Sequence, residues 1–154
     1  MEDLLSDIEM APVLASKTKR WLACMIDYVI YYTIVFITIF IFGTKSLLDA
    51  NDTTRYLNGF PFFLAMVLPW VFFFPGIETL NNGKTLGKAL FGIRTVKEDG
   101  SRINFGESFL KHFFDWVDYL PFLGICGLIV ASNNSRNQRV GDLVAKTIVV
   151  NTRN

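Results

Sequence analysis

Two ionisable residues stand at the start of an apolar stretch, where a charged side chain costs free energy. Arg20 precedes the apolar run 21–42, and Asp27 lies inside it. Seven residues amount to two helical turns, so both side chains share one helix face with Cys24 and Tyr31. On a straight helix their backbones are ~10 Å apart. Each charge is therefore expected to find its partner on another segment.

Asp27 has two interpretations. An unpaired aspartate at membrane depth costs roughly 2.5–3.5 kcal/mol, which Lys111, Arg139 or protonation of the carboxyl must offset. Burial favours the neutral carboxyl and a nearby arginine favours the charged one, so the group could bind a proton or a cation. The alternative, which we prefer, is a structural ion pair that fixes helix packing.

Asp142 is a third polar candidate, in the C-terminal tail. It follows Gly141 and precedes a short run that ends at Ala145. Its carboxylate is expected to cap a short helix there by accepting backbone N–H bonds. A salt bridge to Arg20 or Lys88 is the other structural role that we expect, and both are preferred to direct catalysis or transport.

Asp115 and Asp118 lie within one helical turn of each other. Two acids so placed could form a cation site together with Asp27. They could also mark a helix side that faces water, which is the interpretation that we prefer.

Several other kinds of site are excluded by the residues present. Cys24 and Cys126 lack metal-ligand spacing and serve as small apolar side chains. A single histidine, His112, excludes a His-rich metal site. The GKT triplet at 83–85 is not a phosphate loop, because Glu78 replaces the leading glycine. With no nucleophile beside a base, we expect no enzyme activity, no cofactor and no metal.

Length and composition predict one membrane domain. The chain has 154 residues, of which 51% are hydrophobic, 15% aromatic and only 19% charged, with a mean hydropathy of +0.35. This composition suits a surface that meets lipid, and the length suits a single domain at 17–152. The net charge of +1 gives no basic excess, so nucleic acid is not an expected partner.

The apolar runs predict where the chain meets the bilayer. Residues 21–42 and 60–77 have the length of helices that cross a hydrocarbon layer of ~30 Å, and a third apolar region covers 107–131. Pro69 is expected to kink the second span and to free a carbonyl that must be satisfied inside the protein. The predicted fold class is an α-helical integral membrane protein with two full spans and a proline-broken third segment.

Basic residues predict the orientation of these spans. A basic collar at 17–20 precedes the first span, and the loop 78–106 also carries lysines and arginines, so both are expected on the cytoplasmic side. The charge-balanced loop 43–59 is then outside. The acidic leader, residues 1–16, is expected to be mobile and does not resemble a cleaved signal peptide, so the first span remains as an anchor.

The third segment brings two rules into conflict. Three full crossings would place the tail, residues 132–154, outside, although this tail is basic. A segment that bends near Pro121 and returns to the cytoplasmic side resolves the conflict, and a plain third crossing is the alternative. After a return, the β-like run 146–152 can pair with a β-hairpin predicted at 93–105 and form a small cytoplasmic sheet.

Three motifs, in order, resemble those of one family. R-W-L-A-C-M-I-D at 20–27 resembles its R-x-x-A-x-x-x-D opening, and G-K-T-L-G-K-A-L-F-G-I-R-T-V at 83–96 is similar to its glycine-punctuated loop. Q-R-V-G-D-L-V-A-K-T-I-V-V at 138–150 resembles its closing motif. This is the RDD family of small multi-pass membrane proteins, named for one arginine and two aspartates. The resemblance covers roughly residues 16–152.

The resemblance implies which polar residues matter. It assigns the named positions to Arg20, Asp27 and Asp142, which can form one three-residue polar cluster if the tail returns to the cytoplasmic side. Ion transport, including sodium/proton exchange, has been suggested for some members of the family. The secondary candidates are Lys88, Lys111, Asp115, Asp118 and Arg139.

The chain also departs from the family pattern at three places. Lys111-His112 stands where an arginine is common, Gly141 where a histidine is frequent, and Lys146 where glycine is usual. The resemblance therefore does not carry over every polar group of the family site.

Two functional hypotheses follow. The first is a non-enzymatic subunit or scaffold of a membrane assembly, organised by the polar cluster. The alternative is an oligomeric cation or sodium/proton transporter that uses Asp27 and binds a monovalent cation. Two or three spans can hardly enclose a pore, so we expect a homo-oligomer or a larger membrane complex, besides the lipid bilayer, as partner. The expected location is the plasma or inner membrane, with a cytoplasmic N-terminus.

Overall fold

The computed structural model describes residues 12–45, 54–115, 118 and 125–152, and the chain is mostly helical. The helices are α1 Lys17–Phe42, α2 Gly59–Val71, α3 Ile77–Leu80, α4 Leu86–Leu90, α5 Phe105–Phe113, α6 Ile125–Ser132 and α7 Val140–Ala145, with a π-helical turn, Phe72–Gly76, joining α2 to α3. The strands are β1 Thr44–Lys45, β2 Arg55–Tyr56, β3 Ile93–Lys97 and β4 Thr147–Asn151, and they form two antiparallel pairs, β1–β2 and β3–β4.

Helix α1 begins at a serine cap, ahead of the predicted span 21–42. Ser16 Oγ accepts a hydrogen bond from the N–H of Lys19 at 3.3 Å, so the helix takes in the basic collar. Positions three or four residues apart are buried along one face: Arg20, Ala23, Asp27, Tyr31 and Val35. Because two of these five residues are charged, α1 carries charge into the protein interior.

The second long helix, Gly59–Leu80, extends beyond its predicted end and includes Glu78. The predicted irregularity lies later than expected, because α-helical geometry continues through Pro69. The irregular turn is Phe72–Gly76, which contains Pro75. A proline ring crowds the carbonyl of the preceding helical turn, and such a site breaks regular α-helical hydrogen bonding.

A tyrosine of α1 contacts the second helix nearly two turns before this irregularity. The hydroxyl of Tyr31 donates a hydrogen bond to the carbonyl of Met66 at 3.1 Å. Tyr31 also packs with Val35, Phe73 and Phe74 in the core between the two long helices. The two helices are therefore joined by aromatic packing and by this polar contact.

Helix α1 and the second long helix are both long and apolar enough to cross a membrane. Only 17% and 22% of their most apolar stretches are buried inside the protein, so most of these side chains face outward. Phe36, Phe42 and Phe60 are among the exposed phenylalanines. Apolar faces of this extent suit contact with lipid rather than with water.

The predicted third segment, 107–131, contains most of α5 and α6. Helix α5 begins with a capping box, in which the side chains and backbones of Asn104 and Glu107 exchange two hydrogen bonds of 2.9 Å. Helices α5 and α6 have nine and eight residues. The predicted bend at Pro121 lies outside the described residues.

Both ends of this segment lie at the same end of the two long helices. Ser108, early in α5, donates a hydrogen bond to Glu78 at the end of the second helix. Lys17 Nζ, at the start of α1, lies 3.1 Å from the hydroxyl of Ser132 at the end of α6. The chain thus returns to the end that it left, as the re-entrant hypothesis expects. Among the described residues, no third helix meets the length and polarity required to cross a membrane.

The tail forms the small antiparallel sheet that the sequence predicts. Strand β4 pairs with β3, and Val96 lies opposite Ile148. The hairpin predicted at 93–105 is reduced to a single bridge between Val96 and Arg102. The tail, rather than the second half of the hairpin, is therefore the partner of β3.

Part of the predicted leader extends this sheet. The N–H of Ala15 donates to the carbonyl of Val149 at 2.9 Å, and the N–H of Asn151 donates to the carbonyl of Val13 at 2.9 Å. This end of the leader lies beside β4, whereas residues 1–11 are outside the described part of the chain. The sheet packs against α1 through a small core. This core consists of Ala15, Ala23, Ile93 and Val149.

Helix α4 packs so closely on α1 that the contact requires glycine at position 87. A Cβ atom on Gly87 would lie 2.1 Å from the carbonyl oxygen of Ala23. We predict that Gly87→Ala displaces α4 and costs about 1–3 kcal/mol, as overpacking does elsewhere, with a lower thermal midpoint of the purified protein. Gly106→Ala is the control, because its Cβ would meet only Asn104 Oδ1, at 3.5 Å. Equal midpoints for the two variants would contradict the close packing.

Candidate functional site

The buried polar side chains collect at one end of the molecule, where α1 begins and the second long helix ends. They surround a cavity of about 30 Å³. Its lining includes all eight candidate residues proposed from the sequence, together with His112. The structure therefore brings side chains from α1, α4, α5 and α7 to one place.

Arg20 of α1 and Asp142 of α7 form a buried ion pair. The guanidinium donates to Asp142 Oδ2 and to the carbonyl of Asn137, and the two paired side chains are 5% and 1% exposed. Asp142 Oδ2 also accepts from the N–H of Arg139 at 3.1 Å. Helix α7 begins at Val140 with Arg139 as its cap residue, so Asp142 is the third residue of the helix and binds back to the cap, whereas the sequence predicts Asp142 as the cap itself. Burial alone would raise the pKa of Asp142, but the charges of Arg20, Lys111 and Arg139 hold it well below its usual value.

Asp27 binds a different segment. Its carboxylate accepts hydrogen bonds from Thr85 Oγ1 at 2.5 Å and from the N–H of Gly87 at 2.7 Å. Thr85 is the N-cap of α4, so these bonds anchor that short helix to α1. The expected cluster of Arg20, Asp27 and Asp142 therefore divides into an ion pair and a separate helix anchor, both of which line the same cavity.

The centre of the network is Glu78, which is fully buried at the end of the second long helix. Its carboxylate contacts side chains of α4, β3 and α5, so one residue links the second helix to three other elements. The five partners are Lys88 Nζ, Ser108 Oγ, Thr95 Oγ1 at 2.6 Å, His112 Nε2 at 3.0 Å and Lys111 Nζ at 3.3 Å.

Two lysines connect this centre with the rest of the cavity. Lys111 Nζ lies 3.3 Å from Glu78 and 3.5 Å from Asp142 Oδ1, so it bridges the two carboxylates. Lys88 pairs with Glu78 and lies 3.0 Å from Thr95 Oγ1. Burial lowers the pKa of Lys88, and the negative charge of Glu78 opposes this effect. Asp142 therefore pairs with Arg20 and Lys111, whereas Lys88 pairs with Glu78.

Asp115 and Asp118 are buried, so the expectation that they mark a water-facing helix side is wrong. Their exposed fractions are 6% and 1%. Asp118 accepts N–H bonds from Val140 and Gly141, both at 3.2 Å, at the start of α7. Asp115 Oδ2 lies 2.5 Å from His112 Nδ1. In the described part of the chain, no three His, Cys, Asp or Glu side chains are placed to hold a metal ion.

Two side chains at the heart of the site, Glu78 and His112, are absent from the candidates proposed from the sequence. Glu78 directly follows the apolar run 60–77, and a carboxylate at the end of a span was the available signal. His112 lies three residues before Asp115, which places both on one helix face. Thr95 shows no pattern in the sequence that distinguishes it from other strand residues.

Comparison with known proteins identifies one family. A model of the RDD family matches residues 14–146, which include the Arg20, Asp27 and Asp142 positions. This match confirms the resemblance that the three sequence motifs indicate. No curated protein and no solved structure matches the chain.

Breaking the buried ion pair is predicted to lower the stability of the fold. Arg20→Gln or Asp142→Asn alone should lower the free energy of unfolding by about 3–5 kcal/mol, because the remaining charge stays buried. The free energy of unfolding of the double variant should fall by less than the sum of the two single losses. A double-mutant cycle measures this difference as a coupling energy. The same cycle on the exposed Arg136–Glu98 pair should give less than about 1 kcal/mol. Equal coupling energies for the two pairs would contradict the role of burial.

Glu78→Gln tests the central carboxylate. Glutamine keeps the shape but removes the charge opposite Lys88 and Lys111, so we predict a loss of stability of about 3–5 kcal/mol. Glu107→Gln is the control, because glutamine can still complete the capping box of α5. Thermal unfolding followed by circular dichroism compares the two. If Glu78→Gln were as stable as Glu107→Gln, the central role of this carboxylate would be wrong.

Proposed function

The chain belongs to the RDD family, and from this premise we propose that it is a non-enzymatic subunit or scaffold of a membrane assembly. The observation that carries the proposal is the mutual neutralisation of buried charges. Arg20 pairs with Asp142, while Lys88 and Lys111 pair with Glu78. Groups bound to one another in this way hold their helices in fixed positions, which suits a structural subunit.

The size of the cavity also favours a scaffold over a carrier. At about 30 Å³, it has room on the order of two water molecules. This is too small for a sodium ion that keeps its hydration shell, although it places no limit on a proton. Two long helices are too few to enclose a path for such an ion within one protomer, so transport would require additional subunits.

We place the polar end at the cytoplasmic face of the plasma or inner membrane. Lys17 and Lys19 stand at the start of α1, and Lys84 and Arg94 follow the second long helix, so all four belong to this end of the molecule. Lysine and arginine near the ends of spans favour the cytoplasmic side. In this orientation the N-terminus is cytoplasmic, and the bilayer covers the exposed apolar faces of both long helices.

A protein partner completes this proposal. It is either a second copy of this chain or a larger membrane complex to which the chain is an accessory. Helices associate in lipid through close packing and interhelical hydrogen bonds, and the outward faces of α1 and α2 remain available for such contacts in the single chain.

The second candidate function is an oligomeric cation or sodium/proton transporter that uses Asp27. One observation favours it. Asp27 is a carboxylate within an apolar helix, and it lines the same cavity as the titratable side chains His112 and Asp115. Placing an ionisable residue inside an apolar helix costs free energy, and this cost makes the residue a candidate for a function.

Flux measurements distinguish the two functions. In proteoliposomes we predict no sodium or proton flux above that of protein-free vesicles, for the wild type and for Asp27→Asn alike. Asp99→Asn, at an exposed turn, is the matched control. A wild-type flux that disappears in Asp27→Asn and persists in Asp99→Asn would refute the scaffold proposal.

Assembly is a separate prediction, which the scaffold proposal shares with the transporter alternative. Native electrophoresis of gently solubilised membranes should show the 17.5 kDa chain in a complex larger than one protomer. Arg20→Gln should weaken this complex, while the exposed neighbour Lys19→Gln should leave it intact. Migration of the wild type as a single protomer would contradict the proposal.

A further inference from the structure

The single histidine of the chain is held between two carboxylates. His112 Nδ1 lies 2.5 Å from Asp115 Oδ2, and Nε2 lies 3.0 Å from Glu78 Oε2. The side chain is 6% exposed, and its ring centroid lies 5.2 Å from that of Phe74. Both ring nitrogens therefore face acceptor oxygens in a place that is shielded from bulk solvent.

A neutral imidazole cannot satisfy both contacts, because it has one N–H donor and one lone pair. The lone pair would face a carboxylate oxygen unless that carboxyl carried the proton. Glu78 is surrounded by donors, two of them lysines, which keeps it ionised. An imidazolium donates from both nitrogens and satisfies Glu78 and Asp115 together.

The charges around the ring also favour a protonated ring, when every carboxylate is counted as ionised. Among the described residues, the lining of the cavity together with Glu78 contains five carboxylates and four lysine or arginine side chains. The carboxylates are Asp27 on α1, Glu78, Asp115, Asp118 and, on α7, Asp142; the cations are Arg20 on α1, Lys88 on α4, Lys111 on α5 and Arg139 before α7. The formal sum is −1 with a neutral ring and zero with an imidazolium. A net buried charge is costly, so the imidazolium is favoured.

We propose that His112 is a proton-binding site, at which one structural proton is held as an imidazolium that bridges Glu78 and Asp115. The bound proton links the second long helix to α5 and completes the charge balance of the cavity. It stabilises the fold at neutral pH, and this stability is lost as the pH rises through the point at which the ring releases its proton. His112 would hold this proton in a scaffold and in a transporter alike.

Nitrogen NMR of the purified full chain, labelled with ¹⁵N in histidine, tests the proposal with a single residue to observe. At pH 8 an exposed histidine, with a pKa of about 6.5, is roughly 97% neutral. We expect both ring nitrogens of His112 to carry a proton at that pH. A spectrum with one protonated and one unprotonated nitrogen would overturn the proposal, including the case in which Asp115 holds the proton.

Matched variants extend the same measurement. In Asp115→Asn the formal charge balances without the extra proton, so the ring should be neutral at pH 8. Asp99→Asn, in the exposed turn, should leave the ring protonated. A ring that stays protonated in Asp115→Asn would contradict the assigned role of Asp115 as a counter-ion.

A stability cycle gives an independent readout. His112→Gln removes the proton site and leaves an uncompensated carboxylate, so its thermal midpoint should fall. Adding Asp115→Asn restores the formal balance and should recover part of that loss. A double variant that is less stable than His112→Gln alone would argue against charge balance as the function of the proton.

Discussion

The buried ion pair between Arg20 and Asp142 constrains how the rest of the chain folds. The two residues are separated by most of the sequence, and both side chains are buried. A buried charge without its partner is far more costly than an exposed one. The tail must therefore return to the end at which α1 begins, and the pairing of β4 with β3 and the short helix α7 hold it there.

The same constraint explains the polar residues around the pair. Glu78 needs several donors once it is buried, and α4, β3 and α5 supply them. Asp27 anchors α4, and Asp118 binds the start of α7 through two backbone N–H groups. Each contact satisfies a buried group and joins two elements. The result is a buried polar network at one end of two apolar helices, whose outer faces are exposed.

The sequence predicts the parts of this arrangement that depend on local composition. Apolar length predicts both long helices, and the cost of charge in them draws attention to Arg20 and Asp27. The motif resemblance adds Asp142, and the basic tail predicts the return of the third segment. The central roles of Glu78 and His112 are not predicted, since they arise from contacts between distant segments. Hydropathy placed Glu78 just outside its helix, although the helix continues to Leu80.

Cysteine accessibility tests whether the loop after the second helix and the tail lie on one side of the membrane. In a chain with Cys24→Ala and Cys126→Ala, single cysteines are introduced by Asn81→Cys in the loop, Ser135→Cys in the tail or Thr54→Cys at the opposite end. A membrane-impermeant thiol reagent is then added to sealed vesicles of known orientation. We predict labelling of the first two from the same side and of the third from the other. Labelling of Asn81→Cys and Ser135→Cys from opposite sides would contradict it, because the Arg20–Asp142 pair could not then form.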